Sequence, residues 1–127
     1  MVSNPFRRDD ENPPVIIIGL GRFGVSVARS LVAMGQEVMA VDLDEARVQR
    51  YADEFTHCVQ ADSTDRDALE QLGIETFDKA VIGISNNVES SVMTALALVD
   101  YEIPDIWAKA STTSSIPNAR WVSRWPT

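Results

Sequence analysis

The sequence VIIIGLGRFG at residues 15–24 decides how this chain folds. Four β-branched residues, which favour a strand, lead directly into a GxGxxG motif formed by Gly19, Gly21 and Gly24. Where such a motif joins a strand to a helix, the first glycine permits a tight turn and the second lets the backbone approach a pyrophosphate. The third lets the helix pack closely on the strand, so that free N–H groups at the helix start face the anion. We therefore predict a phosphate-binding loop here; the alternative is that the glycines serve only a sharp turn.

Beyond this loop, short apolar runs alternate with segments of helical period. The predicted strands cover 15–19, 37–42, 57–62, 79–85 and 105–110, and the predicted helices cover 24–34, 45–55, 65–72 and 88–101. Gly35 and Gly73 follow predicted helix ends, where a left-handed residue is favoured, and Asp44 and Thr64 occupy expected N-cap positions. Strict alternation predicts an α/β fold: a Rossmann-like, doubly wound parallel sheet in three α/β/α layers.

Apolar positions outside the loop identify further candidates for the core. The last predicted helix has an apolar stripe at three- and four-residue spacing, which we interpret as a face buried against the sheet rather than a partner surface. The stripe consists of Val88, Val92, Ala95, Leu96 and Val99. In the third predicted strand, His57 is expected to be packed. Cys58 is expected to be an inert packed thiol, and the alternative is a reactive cysteine.

Composition excludes two classes of partner. The 127 residues allow one domain, and the formal net charge of −8 with only two lysines, Lys79 and Lys109, opposes binding to nucleic acid. The apolar runs are far shorter than the roughly 20 residues that span a bilayer, so we expect no direct membrane insertion. A single cysteine cannot form an internal disulfide, which fits a cytoplasmic protein.

The end of the second predicted strand carries a carboxylate suited to a nucleotide. Asp42 lies 23 residues after Gly19, where it can accept hydrogen bonds from ribose hydroxyls. A 2′-phosphate would be repelled by Asp42 and Asp44, which disfavours NADP relative to NAD, ATP or ADP, although Arg47 weakens that exclusion. The alternative for Asp42 is a solvated loop residue.

The ends of the third and fourth strands complete the predicted cleft. Ligands of open parallel sheets bind outside the carboxyl ends of the strands, so Ala61 and Asp62, with residues 84–86, should line the adenosine side. Asp62 could instead cap the turn formed with Ser63 and Thr64. Arg22, inside the glycine loop, could reach a terminal phosphate or serve only the surface.

Five motifs in order carry a resemblance to a known family: GLGRFG, AVD, QADSTD, VIGIS and IPDIWAKA. Together, over residues 15–110, they resemble the N-terminal half of the regulatory proteins of bacterial Trk and Ktr potassium transporters, the RCK, KTN or TrkA-N domain. The resemblance implies a Rossmann domain that binds NAD(H) or ATP/ADP, forms homo-dimers or higher homo-oligomers, and gates a membrane potassium transporter subunit. It also implies no catalysis, and a cytoplasmic location peripheral to the inner membrane through that subunit.

The same resemblance implies which residues bind the nucleotide. Phosphates would be held by Gly19, Gly21, Arg22, Phe23 and Gly24, ribose and adenine by Asp42, Leu43 and Asp44, the base edge by Ala61 and Asp62, and the far wall would be Gly83, Ile84, Ser85 and Lys109.

The two ends of the chain depart from this pattern. Residues 1–14 are polar and proline-punctuated, and we expect a disordered lead-in before the domain at 15–110. Residues 111–127 contain Arg120 and Arg124, no acid and no apolar period, so we expect a poorly ordered non-family tail, from truncation after the fifth strand or a different reading frame. The alternative is a small interaction motif formed by Trp121 and Trp125.

The main rival function is the cofactor domain of an NAD-dependent oxidoreductase, because fold does not decide function. Hydride transfer needs a proton donor or acceptor and a substrate pocket. His57 is the only histidine, neither Tyr51 nor Tyr101 is followed four residues later by lysine, and 127 residues leave no room for a substrate domain. A third reading, a purely structural dimerisation fragment, requires that no nucleotide binds.

Overall fold

The predicted alternation of strand and helix is present in the computed structural model, which describes residues 14–55, 57–84 and 87–108. The elements are β1 Val15–Ile18, α1 Arg22–Ala33, β2 Val38–Asp42, α2 Glu45–Tyr51, β3 His57–Gln60, α3 Arg66–Gln71, a 3-10 helix Ile74–Thr76, β4 Lys79–Ile82, α4 Val88–Asp100 and β5 Asp105–Ala108. The expected lead-in, apart from Pro14, and the expected tail lie outside the described residues, as do Ser85 and Lys109.

The five strands form one parallel sheet in the order β3-β2-β1-β4-β5. Side chains of successive strand residues point to opposite faces, so the central strand β1 contributes to two separate cores. Ile16 and Ile18 pack with residues of α3 and α4, whereas Val15 and Ile17 pack with residues of α1 and α2. The helices therefore cover both faces, and the predicted three-layer Rossmann-like fold is confirmed.

The ends of the elements differ from the prediction by a few residues. β1, β3 and β4 end one to three residues before their predicted ends, at Ile18, Gln60 and Ile82, whereas β2 ends at Asp42 as predicted. After β4, the Gly83 N–H donates to Ile18 O at 2.7 Å. Asp65, not Thr64, is the N-cap of α3, and its side chain accepts from the Asp67 N–H. Gly35 and Gly73 have φ values of 84° and 77°, as expected after helix ends.

Helix α4 corrects the prediction of its buried face. Val88 and Leu96 are 57% and 39% exposed, and Met93 between them is 49% exposed. Ala95 of the predicted stripe is buried and Val99 packs against the core, and the other buried residues of α4 are Ser91, Thr94, Ala97 and Leu98. Small side chains let the helix approach the sheet closely, and the buried hydroxyl groups of Ser91 and Thr94 find partners in the loops after β4 and β3. Part of the apolar stripe therefore faces outward.

Close backbone approach at three glycines fixes the start of α1 over the sheet. A Cβ atom built on Gly24 would lie 1.9 Å from the Gly19 carbonyl oxygen. One built on Gly83 would lie 2.9 Å from Gly24 Cα, and Gly19 itself has a φ of +104°. The predicted roles of Gly19 in a tight turn and of Gly24 in helix–strand packing thus have a direct steric basis.

We predict that Gly24→Ala lowers the free energy of unfolding by about 3 kcal/mol, the upper end of the range typical of overpacking. The loss is large because the Gly19 carbonyl cannot move away without disrupting the loop. Gly35→Ala is the control, since Gly35 has a φ of +84° but open space around its Cα, so only backbone strain of about 1–2 kcal/mol is added. Urea denaturation compares the two variants. Equal decreases in the free energy of unfolding of the two variants would show that the steric contact at Gly24 is unimportant.

Candidate functional site

A cleft of about 480 Å³ opens at the carboxyl ends of the strands, where the order reverses between β1 and β4. Such switch points are the usual ligand sites of open parallel sheets. Of the residues predicted for the site, the cleft is lined by Gly19, Gly21, Asp42, Leu43, Asp44, Ala61, Asp62, Gly83 and Ile84. Residues from four separate loops are thus brought together as the sequence predicted.

The glycine loop forms the wall of the cleft at the start of α1. Gly21 is the N-cap of α1, no side chain caps this helix start, and the first turn has no acidic residue. The first turn of a helix has backbone N–H groups without intrahelical partners and a positive dipole end. The arrangement can therefore hold an anion beside Gly21.

The Asp42 carboxylate accepts two hydrogen bonds from the backbone of this chain. Its Oδ2 accepts a hydrogen bond from the Leu20 N–H and its Oδ1 accepts one from the Asp44 N–H, both at 2.7 Å. The residue is only 8% exposed, so the alternative of a solvated loop residue is wrong. A carboxylate offers about four lone-pair positions, which leaves acceptor capacity on the cleft side for hydroxyl donors. Asp42 therefore ties the glycine loop to the end of β2.

Arg47 offsets the negative charge at this end of the cleft. Its guanidinium lies 3.7 Å from the Asp42 carboxylate and 3.9 Å from the Asp44 carboxylate. Asp44 in turn caps α2 by accepting from the Ala46 N–H at 2.9 Å, as predicted. The three charged side chains form a connected group in which the two acids are partly neutralised.

The loop after β3 forms the opposite wall. Asp62 Oδ1 accepts from the Thr64 hydroxyl at 2.6 Å and from the Thr64 N–H at 2.9 Å. These two hydrogen bonds lower the pKa of Asp62 and keep it ionised. Asp62 therefore forms the turn proposed as the alternative and also lines the cleft. Behind it, the buried Ser63 hydroxyl lies 2.7 Å from the Thr94 hydroxyl of α4.

The wall after β4 is also held by α4. The Ser91 hydroxyl donates to the Ile84 carbonyl at 2.9 Å, and Asn87 caps α4 by accepting from the Ser90 N–H at 3.0 Å. The cleft is also lined by residues that were not predicted for the site, among them Ser63, Thr64, Asn87 and Ser90. A polar N-cap residue at the start of the helix after the fourth strand is the signal that could have identified Asn87.

Three predicted residues lie outside this cleft. Arg22 and Phe23 line a second groove on the other side of the glycine loop, and Gly24 is buried in the contact with Gly19. The predictions for Ser85 and Lys109 fall on residues that the structure does not describe.

The histidine and the cysteine do not take part in the cleft. His57 is exposed at the start of β3, with its Nε2 3.8 Å from a Glu37 carboxylate oxygen, so the expectation that it is packed is wrong. Cys58 is half-buried and its Sγ contacts the Val48 carbonyl. Burial raises the pKa of the Cys58 thiol, which opposes formation of a reactive thiolate.

The described residues lack a metal-binding cluster and a membrane-spanning helix. These residues contain no group of three or more His, Cys, Asp or Glu side chains that could hold a metal ion. No helix in the same part of the chain is long and apolar enough to cross a membrane.

The chain matches a known family over most of its length. The family model described as TrkA-N domain matches residues 15–122, a range that extends past the end of β5. The Ktr system potassium uptake protein A of Bacillus subtilis strain 168 is 43% identical over 100 residues, which cover 79% of this chain and 45% of that protein. The chain thus spans less than half of this relative's length.

Two solved structures are similar in fold and in sequence. The NAD(P)-binding domain of an exopolyphosphatase-related protein from Archaeoglobus fulgidus superimposes with a TM-score of 0.63 at 26% identity, covering 83% of this chain and 80% of that one. The Kef CTD of Shewanella denitrificans in AMP-bound form gives a TM-score of 0.58 at 26% identity, covering 75% of this chain and 56% of that one.

We predict that Asp42→Asn lowers the free energy of unfolding by about 1–3 kcal/mol, because the asparagine amide would oppose one of the two backbone N–H groups and leave it without an acceptor. Asp53→Asn is the control, since Asp53 is exposed and outside the cleft. Urea denaturation without ligand is the measurement. A midpoint for Asp42→Asn equal to that of the control would show that these two hydrogen bonds do not support the loop.

Proposed function

The chain belongs to the TrkA-N domain family, and from this membership we propose that it binds an adenine nucleotide as the sensing half of a regulatory subunit of a potassium uptake transporter. The observation that carries the proposal is the joint lining of one cleft by the glycine loop, the Asp42 carboxylate and the loop after β3. A potassium uptake protein that is 43% identical supports the transport role.

The chemistry of the cleft favours an adenine nucleotide over other anions. Its volume of about 480 Å³ lies within the roughly 300–1,000 Å³ range of small-molecule sites. The start of α1 is suited to phosphate, Asp42 to ribose hydroxyls, and the exposed Leu43 side chain and the Asp62 loop to the base. The AMP-bound form of the similar Kef CTD supports an adenine nucleotide as the ligand. The proposed ligands are NAD(H) or ATP/ADP.

The proposed function is ligand binding without a catalytic step. Among the described residues, those that line the cleft include no His, Cys, Lys or Tyr that could exchange a proton with a substrate. Asp42 and Asp62 already accept hydrogen bonds from the protein. We therefore propose a binding domain whose output is a change of shape or assembly, acting in a homo-oligomer on the cytoplasmic face of the inner membrane through the transporter subunit.

Gly21→Val tests the site, because the added side chain would fill the space through which the backbone meets phosphate. Gly21 has a φ of −86°, which any residue adopts, so the fold should survive. We expect isothermal titration to show binding of ATP, ADP, NAD or NADH to the wild type and near-complete loss in Gly21→Val. Ala52→Val places a valine at an exposed position outside the cleft, and this variant should bind the nucleotides with the affinity of the wild type. Unchanged affinity in folded Gly21→Val would exclude this cleft as the site.

Absence of turnover is a separate prediction. With NADH and a panel of carbonyl compounds, or with NAD and alcohols or hydroxy acids, the absorbance at the nicotinamide band should stay constant, because the described residues that line the cleft include no His, Cys, Lys or Tyr to exchange a proton with a substrate. A buffer blank and a known dehydrogenase serve as controls. Protein-dependent and substrate-dependent change in NADH would favour the oxidoreductase alternative.

A further inference from the structure

Helix α4 carries two buried hydroxyl groups that form hydrogen bonds outside the helix. Ser91 and Thr94 are three residues apart on one face of α4, and both are fully buried. A serine or threonine inside a helix commonly returns its hydroxyl to the carbonyl four residues earlier. Here the Ser91 hydroxyl donates to the Ile84 carbonyl at 2.9 Å, and the Thr94 hydroxyl lies 2.7 Å from the Ser63 hydroxyl. One helix face therefore holds two different loops of the cleft.

The loop after β3 is a turn that is closed by its own hydrogen bonds. Asp62 Oδ1 accepts from the Thr64 N–H and from the Thr64 hydroxyl, and the Asp65 N–H donates to the Asp62 carbonyl at 3.0 Å. Such a turn moves as a unit. Its position over the sheet is consequently set by its contacts with the rest of the molecule, and Ser63 in the middle of the turn supplies one of them.

The contact between Ser63 and Thr94 holds the turn in place because both residues are buried. Ser63 is 8% exposed and Thr94 is not exposed at all. A buried hydroxyl is costly without a hydrogen-bond partner, so the turn is most stable where the two hydroxyl groups meet. In that position Asp62, Ser63 and Thr64 all line the cleft.

The phosphate side of the cleft is held by a different set of contacts. Gly24 packs on the Gly19 carbonyl, and the Leu20 N–H donates to the Asp42 carboxylate. These contacts join the glycine loop to the start of α1 and to the end of β2. Loss of the Thr94 hydroxyl should therefore act on the loop after β3 and leave the glycine loop in place.

We propose that Thr94, acting through Ser63, is a positioning residue for the base of the bound nucleotide. Thr94 is not among the residues that line the cleft, so its hydroxyl acts by holding the turn that meets the base. The inference rests on the proposed function, in which the base lies against the Asp62 loop. Its consequence is that the Thr94 hydroxyl contributes equally to the affinity for adenine nucleotides with different numbers of phosphates.

Thr94→Val tests this role because valine keeps the size of the side chain and removes the hydroxyl that Ser63 meets. Isothermal titration with AMP, ATP and NADH is the measurement. We expect Thr94→Val to weaken every one of these ligands that the wild type binds by the same factor, about threefold to tenfold, the size expected for one neutral hydrogen bond.

Two variants serve as controls. Thr94→Ser keeps the hydroxyl and should bind the same ligands with the affinity of the wild type. Thr76→Val removes a threonine hydroxyl that donates to the Gly73 carbonyl at 2.7 Å outside the cleft, and this variant should also bind with the affinity of the wild type.

Three results would overturn the role of Thr94. Wild-type affinity in Thr94→Val, even with a lower urea midpoint, would show that the hydroxyl supports only the fold. Equal weakening in Thr94→Ser and Thr94→Val would assign the effect to packing, and greater weakening of ATP than of AMP would place it on the phosphate side. A wild type that binds none of the three ligands contradicts the proposed function, and the role of Thr94 then fails with it.

Discussion

The contact between the backbones at Gly19, Gly24 and Gly83 is the constraint on which the rest of the site depends. No Cβ fits at Gly24, where it would meet the Gly19 carbonyl oxygen at 1.9 Å. This contact brings the start of α1 down onto the carboxyl ends of β1 and β4, at the point where the strand order reverses. The position of α1 then creates the cleft at the carboxyl ends of the strands on one side of the loop and the second, arginine-lined groove on the other.

Charge is arranged around this loop by short-range contacts rather than by the overall composition. Asp42 is nearly buried, and its carboxylate is stabilised by two backbone N–H groups and by Arg47. Hydrogen bonds to the ionised form and a nearby cation both offset the cost of burying a carboxylate. An acidic chain can thus present cationic side chains and helix N–H groups to an anion in one restricted region while the net charge remains −8.

Helix α4 connects the two loops that face the glycine loop across the cleft. Thr94 meets Ser63 of one loop and Ser91 meets Ile84 of the other, and both helix residues are fully buried. Buried hydroxyl groups are costly unless they are paired, so these hydrogen bonds favour one position of α4 against the sheet. The apolar side chains of Val88, Met93 and Leu96 are consequently left on the outside of the helix.

The sequence alone determined the order of strands and helices, the parallel sheet and the place of the glycine loop, because residue periodicity and glycine spacing are local properties. It also identified most of the residues that line the cleft, since the ends of parallel strands share one edge of a sheet. Only the tertiary structure decided how α4 is rotated, that Asp42 holds the Leu20 and Asp44 N–H groups, and that Arg22 and Arg50 face one groove. These features depend on contacts between residues distant in the chain, and helical periodicity cannot tell an apolar face that meets the sheet from one that meets solvent.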